Sequence, residues 1–257
     1  MVEVRPAAPL TFPMPATFES FGWLHGLVLL VSIPAWWGIV RWGRRVVGTP
    51  SEQRWRRGWA LFVWGTNVAW SVRLLLPQYF SIQRSIPIHL CDLAWMVGGW
   101  SLWCGGDPQR VRHQVPILWG FALSVIGYAT PAVTSGPGGI HFWTFWVTHW
   151  QILAVALVNL YVRGTRPDDA GILRTLAGTI AAFVVVTAVN LLLDTSYFFT
   201  GRGKPDNPSP LDLLGDWPLR ILWIGILGTL ALAAVGWALR RPRPRGGPPP
   251  DAPGPRP

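Results

Sequence analysis

The chain has 257 residues, of which half are apolar and 13% are charged, with a formal net charge of +10. A soluble domain carries about 25% charged residues, so this balance excludes an ordinary soluble fold and leaves one membrane domain with no room for a second soluble one. The positive charge, 21 Arg and one Lys, gathers at the ends of apolar runs and therefore speaks for topology and against nucleic-acid binding.

Residues 1–19 are polar and Pro-containing, without periodicity, and no basic segment precedes the first apolar run. That run covers 20–40, is long, and reads as a retained span, not a cleaved signal peptide. A basic loop holds Arg41, Arg44, Arg45, Arg54, Arg56 and Arg57. The second span, 58–76, stops at Pro77. The third, 87–104, starts at Pro87, a favourable first helical position, and ends at Gly105, Gly106 and Pro108. The fourth covers 115–133, the fifth 141–162 and the sixth 171–193. A polar loop, 194–216, leads to the seventh span at 217–239, closed by Arg240. The 240–257 tail of Arg, Pro and Gly cannot build a core and reads as disordered, with its Arg residues positioned to meet anionic headgroups. The 18 Trp crowd the run ends, as at Trp36, Trp37, Trp55, Trp143 and Trp217, where aromatic belts sit.

Lys and Arg alternate from loop to loop. The 41–57, 105–114 and 163–174 loops and the tail hold 16 of the 22, the intervening segments hold four, and Arg73 and Arg220 lie inside runs. The expectation is an all-α polytopic membrane helix bundle of about seven transmembrane helices, with the N-terminus outside and the C-terminus cytoplasmic, in the cell membrane.

Polar side chains inside lipid are costly and mark function by default. On this topology His25, Asn67, Arg73, His89, Cys91, Asp92, Tyr128, His149, Asn190 and Asp194 converge on the outer half of the bundle. The inner halves read as almost purely apolar or aromatic, and His113 reads as solvated in a cytoplasmic loop. A polar cavity opening outward is expected. Cys91 sits in the opening turns of the third helix, where the helix N-terminus favours a thiolate. His149 lies about 12 Å deep and could deprotonate it, as in other Cys–His nucleophile systems. The plain alternatives stay open: Cys91 as a small apolar filler, His149 as a packing hydrogen bond, and Arg73 with Asp92 as an interhelical ion pair. Cys91 and Cys104 are 13 positions apart on one helix, roughly 20 Å, too far for a disulfide. No H-x-x-x-H or C-x-x-C spacing occurs, so neither metal nor cofactor is expected. The glycine pairs precede no phosphate-binding helix and read as turns and close packing.

The stretch Ile86-Pro87-Ile88-His89-Leu90-Cys91-Asp92 resembles the P-L-H-L-C-D signature of YwaF-type bacterial membrane proteins. Tyr128 to Pro131, Phe145 to His149, Asn190 with Asp194 to Tyr197, Lys204-Pro205 and Gly215 to Pro218 resemble further family segments in order. The resemblance covers about residues 20–240. The family's animal relatives, similar to transmembrane protein 164, are described as phospholipid-remodelling acyltransferases, and the resemblance places their reactive pair on Cys91 and His149. It departs at Ser196, where the family commonly has Asn. The expectation is a lipid acyltransferase, with His89, Asp92 and Asn190 supporting the pair and Arg73, Tyr128, Tyr197 and Lys204 contacting a lipid substrate. The alternative is a transporter or solute-binding membrane protein using the same cavity without covalent chemistry.

Overall fold

The computed structural model describes residues 15–202 and 210–240. The tail beyond Arg240 and Lys204 lie outside the described residues. The fold is all-α, built on seven long helices: α1 Trp23–Val46, α2 Glu52–Leu75, α3 Leu90–Cys104, α4, α5 Ile140–Val162, α6 Asp169–Leu193 and α7 Leu219–Leu239. Helix α4 is continuous over 111–129, but its middle, Gly120–Ser124, widens into a π-turn between two α-helical pieces. There α4 meets α5 so closely that a Cβ on Gly120 would collide with the Ala156 side chain. A second π-turn, Val158–Val162, ends α5.

The connecting loops sort into two sets by their contacts. At one end, Phe18 N–H donates to the Thr134 carbonyl (2.7 Å), the Gln83 amide donates to the Asp194 carbonyl (2.9 Å), and the Trp70 and His141 rings meet at 5.2 Å. At the other, Arg44 Nε donates to the Tyr161 carbonyl (3.1 Å), Gln109 Nε2 to the Gly164 carbonyl (3.2 Å), and Arg240 lies 4.0 Å from Asp169. Consecutive helices therefore run in opposite directions, and α3 and α5 run parallel. The second set carries most of the Arg residues; we call it the basic end.

Helix α5 is the centre of the bundle. In its most apolar 18-residue window 61% of residues are buried, against 22% in α1 and 11% in each of α6 and α7. It packs on α1, α2, α3 and α4. The main core joins Trp55 and Val63 of α2, Ala94, Trp95 and Leu102 of α3, Leu118 and Trp119 of α4, and Ile152, Val155 and Val158 of α5. Outside it, Leu30, Leu173, Val185, Leu192, Leu222 and Leu230 stand exposed. A belt of that kind is what a lipid-facing surface requires and what a soluble surface avoids. Helices α1, α5, α6 and α7 are long and apolar enough to cross a membrane.

Several bounds differ from the sequence expectation for physical reasons. The basic loop is mostly helix: α1 continues through Arg41, Arg44 and Arg45 to Val46, and α2 starts at Glu52, whose carboxylate lies at a helix N-terminus and accepts from Gly48 N–H (2.7 Å). Helix α3 begins at Leu90, not Pro87, because Asp92 draws the His89 N–H (2.8 Å) into a capping box. Helix α4 starts four residues early, at Val111, which places Pro116 in its second turn.

Candidate functional site

The start of α3 is held by its own polar groups. Asp92 Oδ2 accepts the His89 backbone N–H, and Trp95 Nε1–H approaches Asp92 Oδ1 at 3.4 Å. The His89 ring stands edge-on to Tyr197 at 4.9 Å, with Nδ1 facing Phe198 N–H at 3.5 Å. These two residues are engaged in shaping the helix start and its contact with the 194–201 loop. Among the described residues no ion pair joins Asp92 to Arg73. The Arg73 guanidinium instead lies 3.7 Å from the centre of the Tyr79 ring and 5.4 Å from that of Trp70.

Asn190, buried near the end of α6, organises that loop with four hydrogen bonds. Its Nδ2 donates to the Tyr197 carbonyl and to Thr200 Oγ1, both at 2.7 Å, and its Oδ1 accepts from Thr195 Oγ1 (2.8 Å) and Tyr197 N–H (2.9 Å). Tyr197 is fully buried. Its hydroxyl donates to the Ile82 carbonyl (2.7 Å) and accepts from Ile86 N–H (3.1 Å), pinning the loop to the segment before α3. Burial pushes the Tyr197 hydroxyl pKa up. The turn so held is strained: Phe198 and Phe199 both have positive φ, 57° and 59°, a region bulky residues avoid. Arg220, buried at the start of α7, donates to the Gly201 carbonyl (2.8 Å) and ties that helix to the same loop.

His149 is positioned by α5 itself. Its Nδ1–H donates to the Phe145 carbonyl at 2.8 Å, one turn earlier, and its ring stacks on Phe145 at 4.2 Å. That bond assigns the proton to Nδ1 and leaves the Nε2 lone pair unprotonated. Nε2 lies against Gly127 of α4, where a Cβ would come within 3.1 Å. Cys91 is half-buried against the main core, with a free thiol, and Cys104 is exposed at the far end of α3. The parallel register of α3 and α5 pairs Gly98 with Val155 and Ser101 with Asn159. Extended two turns toward the helix start, it sets Cys91 level with Thr148 and His149. Among the described residues no hydrogen bond joins Cys91 to His149, and the group that orients His149 is the Phe145 carbonyl, not His89 or Asp92.

Tyr128 belongs to a separate cluster. Its hydroxyl meets Ser32 Oγ (3.3 Å), its carbonyl lies 2.7 Å from His25 Nε2, and its ring packs on Trp36 and Trp146. Between α2 and α5 runs a closed amide–hydroxyl network. Asn67 Nδ2 donates to Gln151 Oε1 (2.7 Å), Thr148 Oγ1 to Asn67 Oδ1 (2.6 Å), and Gln151 Nε2 to Thr66 Oγ1 (2.8 Å). A cavity of about 130 Å³ opens beside it, lined by Thr66, Asn67, Trp70, Trp143, Thr144, Val147 and Thr148.

The expectation of apolar inner halves and a solvated His113 is overturned. His113 is fully buried at the start of α4. Arg163 Nη1 donates to its Nδ1 (2.7 Å), Ser101 Oγ lies 2.8 Å from the same nitrogen, and Nε2 lies 3.0 Å from the Gly105 carbonyl. Arg112 Nε–H also donates to Nε2 (3.2 Å), so arginine donors reach both ring nitrogens. Asn159, also fully buried, reaches Ser101 Oγ at 3.2 Å and Arg163 at 3.4 Å. The legible signal was an uncharged polar residue, Ser101 or Asn159, deep in an otherwise apolar run. Among the described residues no group of three His, Cys, Asp or Glu is placed to hold a metal ion.

An all-α bundle with an unpartnered apolar belt, and four helices able to cross a bilayer, defines an integral membrane protein. The chain belongs to the TMEM164 family, whose model matches residues 20–235. No match is found among curated proteins or among solved structures.

Proposed function

We propose that this protein is a seven-span, multi-pass protein of the cell membrane that transfers acyl groups between lipids through Cys91 and His149. The alternation of Lys and Arg between loops supports the topology, with the basic end cytoplasmic. The observation that carries the chemistry is the protonation geometry of His149: Nδ1–H is committed to the Phe145 carbonyl, so Nε2 is the basic nitrogen, level with the only thiol near the start of α3. Nε2 takes the Cys91 proton as the sulfur attacks an ester carbonyl. The tetrahedral intermediate expels the alcohol oxygen, which takes that proton, leaving a thioester on Cys91. An acceptor hydroxyl then gives its proton to Nε2 and attacks the thioester, and the leaving thiolate recovers the proton. Asn190, Tyr197, His89 and Asp92 support the pair by fixing the loop and helix start around it, while Arg73 and Lys204 offer positive charge to a lipid phosphate. Membrane lipids are the partners, and the basic tail adds contact with anionic headgroups.

The test is covalent trapping by a lipid-like electrophile in native membranes. Labelling that survives Cys104→Ala, disappears in Cys91→Ala and falls sharply in His149→Ala supports the pair. A Cys91 labelled equally without His149 is not activated, and that result sinks the proposal.

A second reading follows from the cavity beside Asn67. Its hydroxyl and amide donors are spent on backbone carbonyls, on Gln151 and on Asn67, so it presents acceptors to a hydroxyl-bearing solute, as a carrier or binding protein would. This reading requires Cys91→Ser to keep solute uptake into vesicles and Asn67→Leu to lose it.

A further inference from the structure

Elsewhere at the basic end guanidiniums meet ordinary partners: Arg57 lies over the Trp103 ring at 4.8 Å, and Arg44 donates to the Tyr161 carbonyl. Three others converge on the Gly105–Gly106 turn that ends α3. Arg56 Nη1 donates to the Leu102 carbonyl (2.5 Å), Arg112 Nη2 to the Gly105 carbonyl (2.9 Å) and Arg163 Nη2 to the Gly106 carbonyl (2.8 Å). A helix C-terminus attracts positive charge, but its partial charge is only about half a unit, too little to balance three cations. The acids facing them are Glu52 and Asp107. Glu52 lies 3.3 Å from Arg56 Nε, but that nitrogen forms no hydrogen bond, and Asp107 Oδ1 accepts from Gln109 N–H (2.9 Å). His113, with an arginine N–H aimed at each ring nitrogen, supplies no negative charge. Burial first, then Arg56, push the Arg163 pKa down to about 10.

Among the described residues two buried polar atoms here form no hydrogen bond: Nε of Arg56, 8% exposed, which meets the Glu52 carboxylate as an ion pair at 3.3 Å, and the Thr165 hydroxyl, in the loop that Gln109 binds to the same turn. Both glycines of the turn have positive φ, 59° and 73°, and a Cβ on Gly105 would strike the Arg56 guanidinium. The turn leaves backbone and guanidinium groups open where any side chain would cover them.

We propose that Arg56, Arg112 and Arg163 form a binding site for a phosphate-type oxyanion at the basic end of the bundle. The anion is either the phosphodiester of an anionic lipid headgroup or free inorganic phosphate. The planar guanidinium fork matches phosphate oxygens two at a time, and Arg112 and Arg163, being half-buried, leave the site open on one side. The anion supplies the charge that the two acids do not. This site lies at the opposite end of α3 from Cys91 and stands whether or not the thiol reacts.

The test follows thermal unfolding of the full chain by tryptophan fluorescence in two arms. In detergent, inorganic phosphate is titrated against chloride at equal ionic strength. In nanodiscs without phosphate buffer, phosphatidylcholine alone is compared with phosphatidylcholine plus phosphatidylglycerol. The wild type melts higher in at least one arm. The anion needed for half the effect rises about tenfold or more, the equivalent of one charge-assisted hydrogen bond, in Arg112→Gln and Arg163→Gln. It is unchanged in Arg57→Gln and raised by less in Arg163→Lys. A response to inorganic phosphate assigns a free anion, and a response to phosphatidylglycerol alone assigns the headgroup. A wild type that responds in neither arm overturns the proposal without any variant, and so does a response that Arg112→Gln and Arg163→Gln retain in full.

Discussion

Replacing Asn190 by Ala removes all four hydrogen bonds at the centre of the 194–201 loop. Two of the groups left behind, the Tyr197 N–H and the Thr195 hydroxyl, belong to buried residues and lose the Asn190 oxygen, whereas the Tyr197 carbonyl keeps the Thr200 N–H and hydroxyl. Each unsatisfied group costs about 1–3 kcal/mol, so the pair alone destabilises by about 2–6 kcal/mol. At roughly 2–4 °C per kcal/mol for a chain of this size, the melting point in detergent falls by roughly 4 °C or more. Asn190→Asp sharpens the reasoning, because it is isosteric. It keeps the two bonds accepted by Oδ1 but turns both Nδ2 donors into acceptors facing the Tyr197 carbonyl and Thr200 Oγ1. It should melt at least as low as Asn190→Ala near neutral pH, and recover part of the loss as the pH falls and the carboxyl regains a proton to donate. Differential scanning fluorimetry across pH 5–8 reads both effects. Melting of Asn190→Ala within a degree of the wild type would refute the view that this side chain holds the loop.

Other expectations follow from single contacts. Gly127→Ala sets a methyl 2.9 Å from His149 Cδ2, which forces the ring to shift at an overpacking cost of about 1–3 kcal/mol; electrophile trapping at Cys91 should slow even in samples matched for folded fraction, and an unchanged rate would separate His149 from the thiol. Tyr197→Phe loses the bonds to Ile82 and Ile86 and should lower stability by about 1–3 kcal/mol while the 77–89 segment gains hydrogen exchange. Asn67→Leu breaks the closed network to Thr148 and Gln151; polar contacts between membrane helices average about 0.6 kcal/mol each, so a loss well under 3 kcal/mol is expected in a chemical unfolding curve. Gly105→Ala strains a positive-φ turn and collides with Arg56, so it should destabilise more than Gly48→Ala, where φ is also positive but a Cβ meets open space.

The long helices were legible where charge was absent. The sixth and seventh spans begin and end within two residues of α6 and α7 because uninterrupted apolar runs leave no other solution. The end of α1 and the start of α2 were not, because Arg residues there read as loop while the backbone stays helical and the side chains, Arg56 excepted, are exposed. Apolar periodicity also says nothing about which polar residues meet across 12 to 58 positions. Ser101, His113, Asn159 and Arg163 look unrelated along the chain, and the parallel register of α3 and α5, with α4 packed on both, brings them together. On the candidate site, His89 and Asp92 were expected to support the Cys91–His149 pair; the capping box uses both locally, at the start of α3. Tyr128 and Arg73 were placed in the same layer as Cys91, yet the first packs on α1 and the second on Tyr79.

The central position of α5 bears on how the protein is made. Taken alone, this helix carries Thr148, His149, Gln151 and Asn159 into lipid, a poor candidate for independent insertion. Its hydrogen-bond partners, Thr66 and Asn67 of α2 and Ser101 of α3, all precede it in the chain. When α5 leaves the ribosome, the side chains that satisfy it have already been synthesised, whereas α6 and α7 follow as apolar segments that need no such reception. The order of helices along the chain thus matches an order of assembly in which the polar core closes before the outer wall arrives.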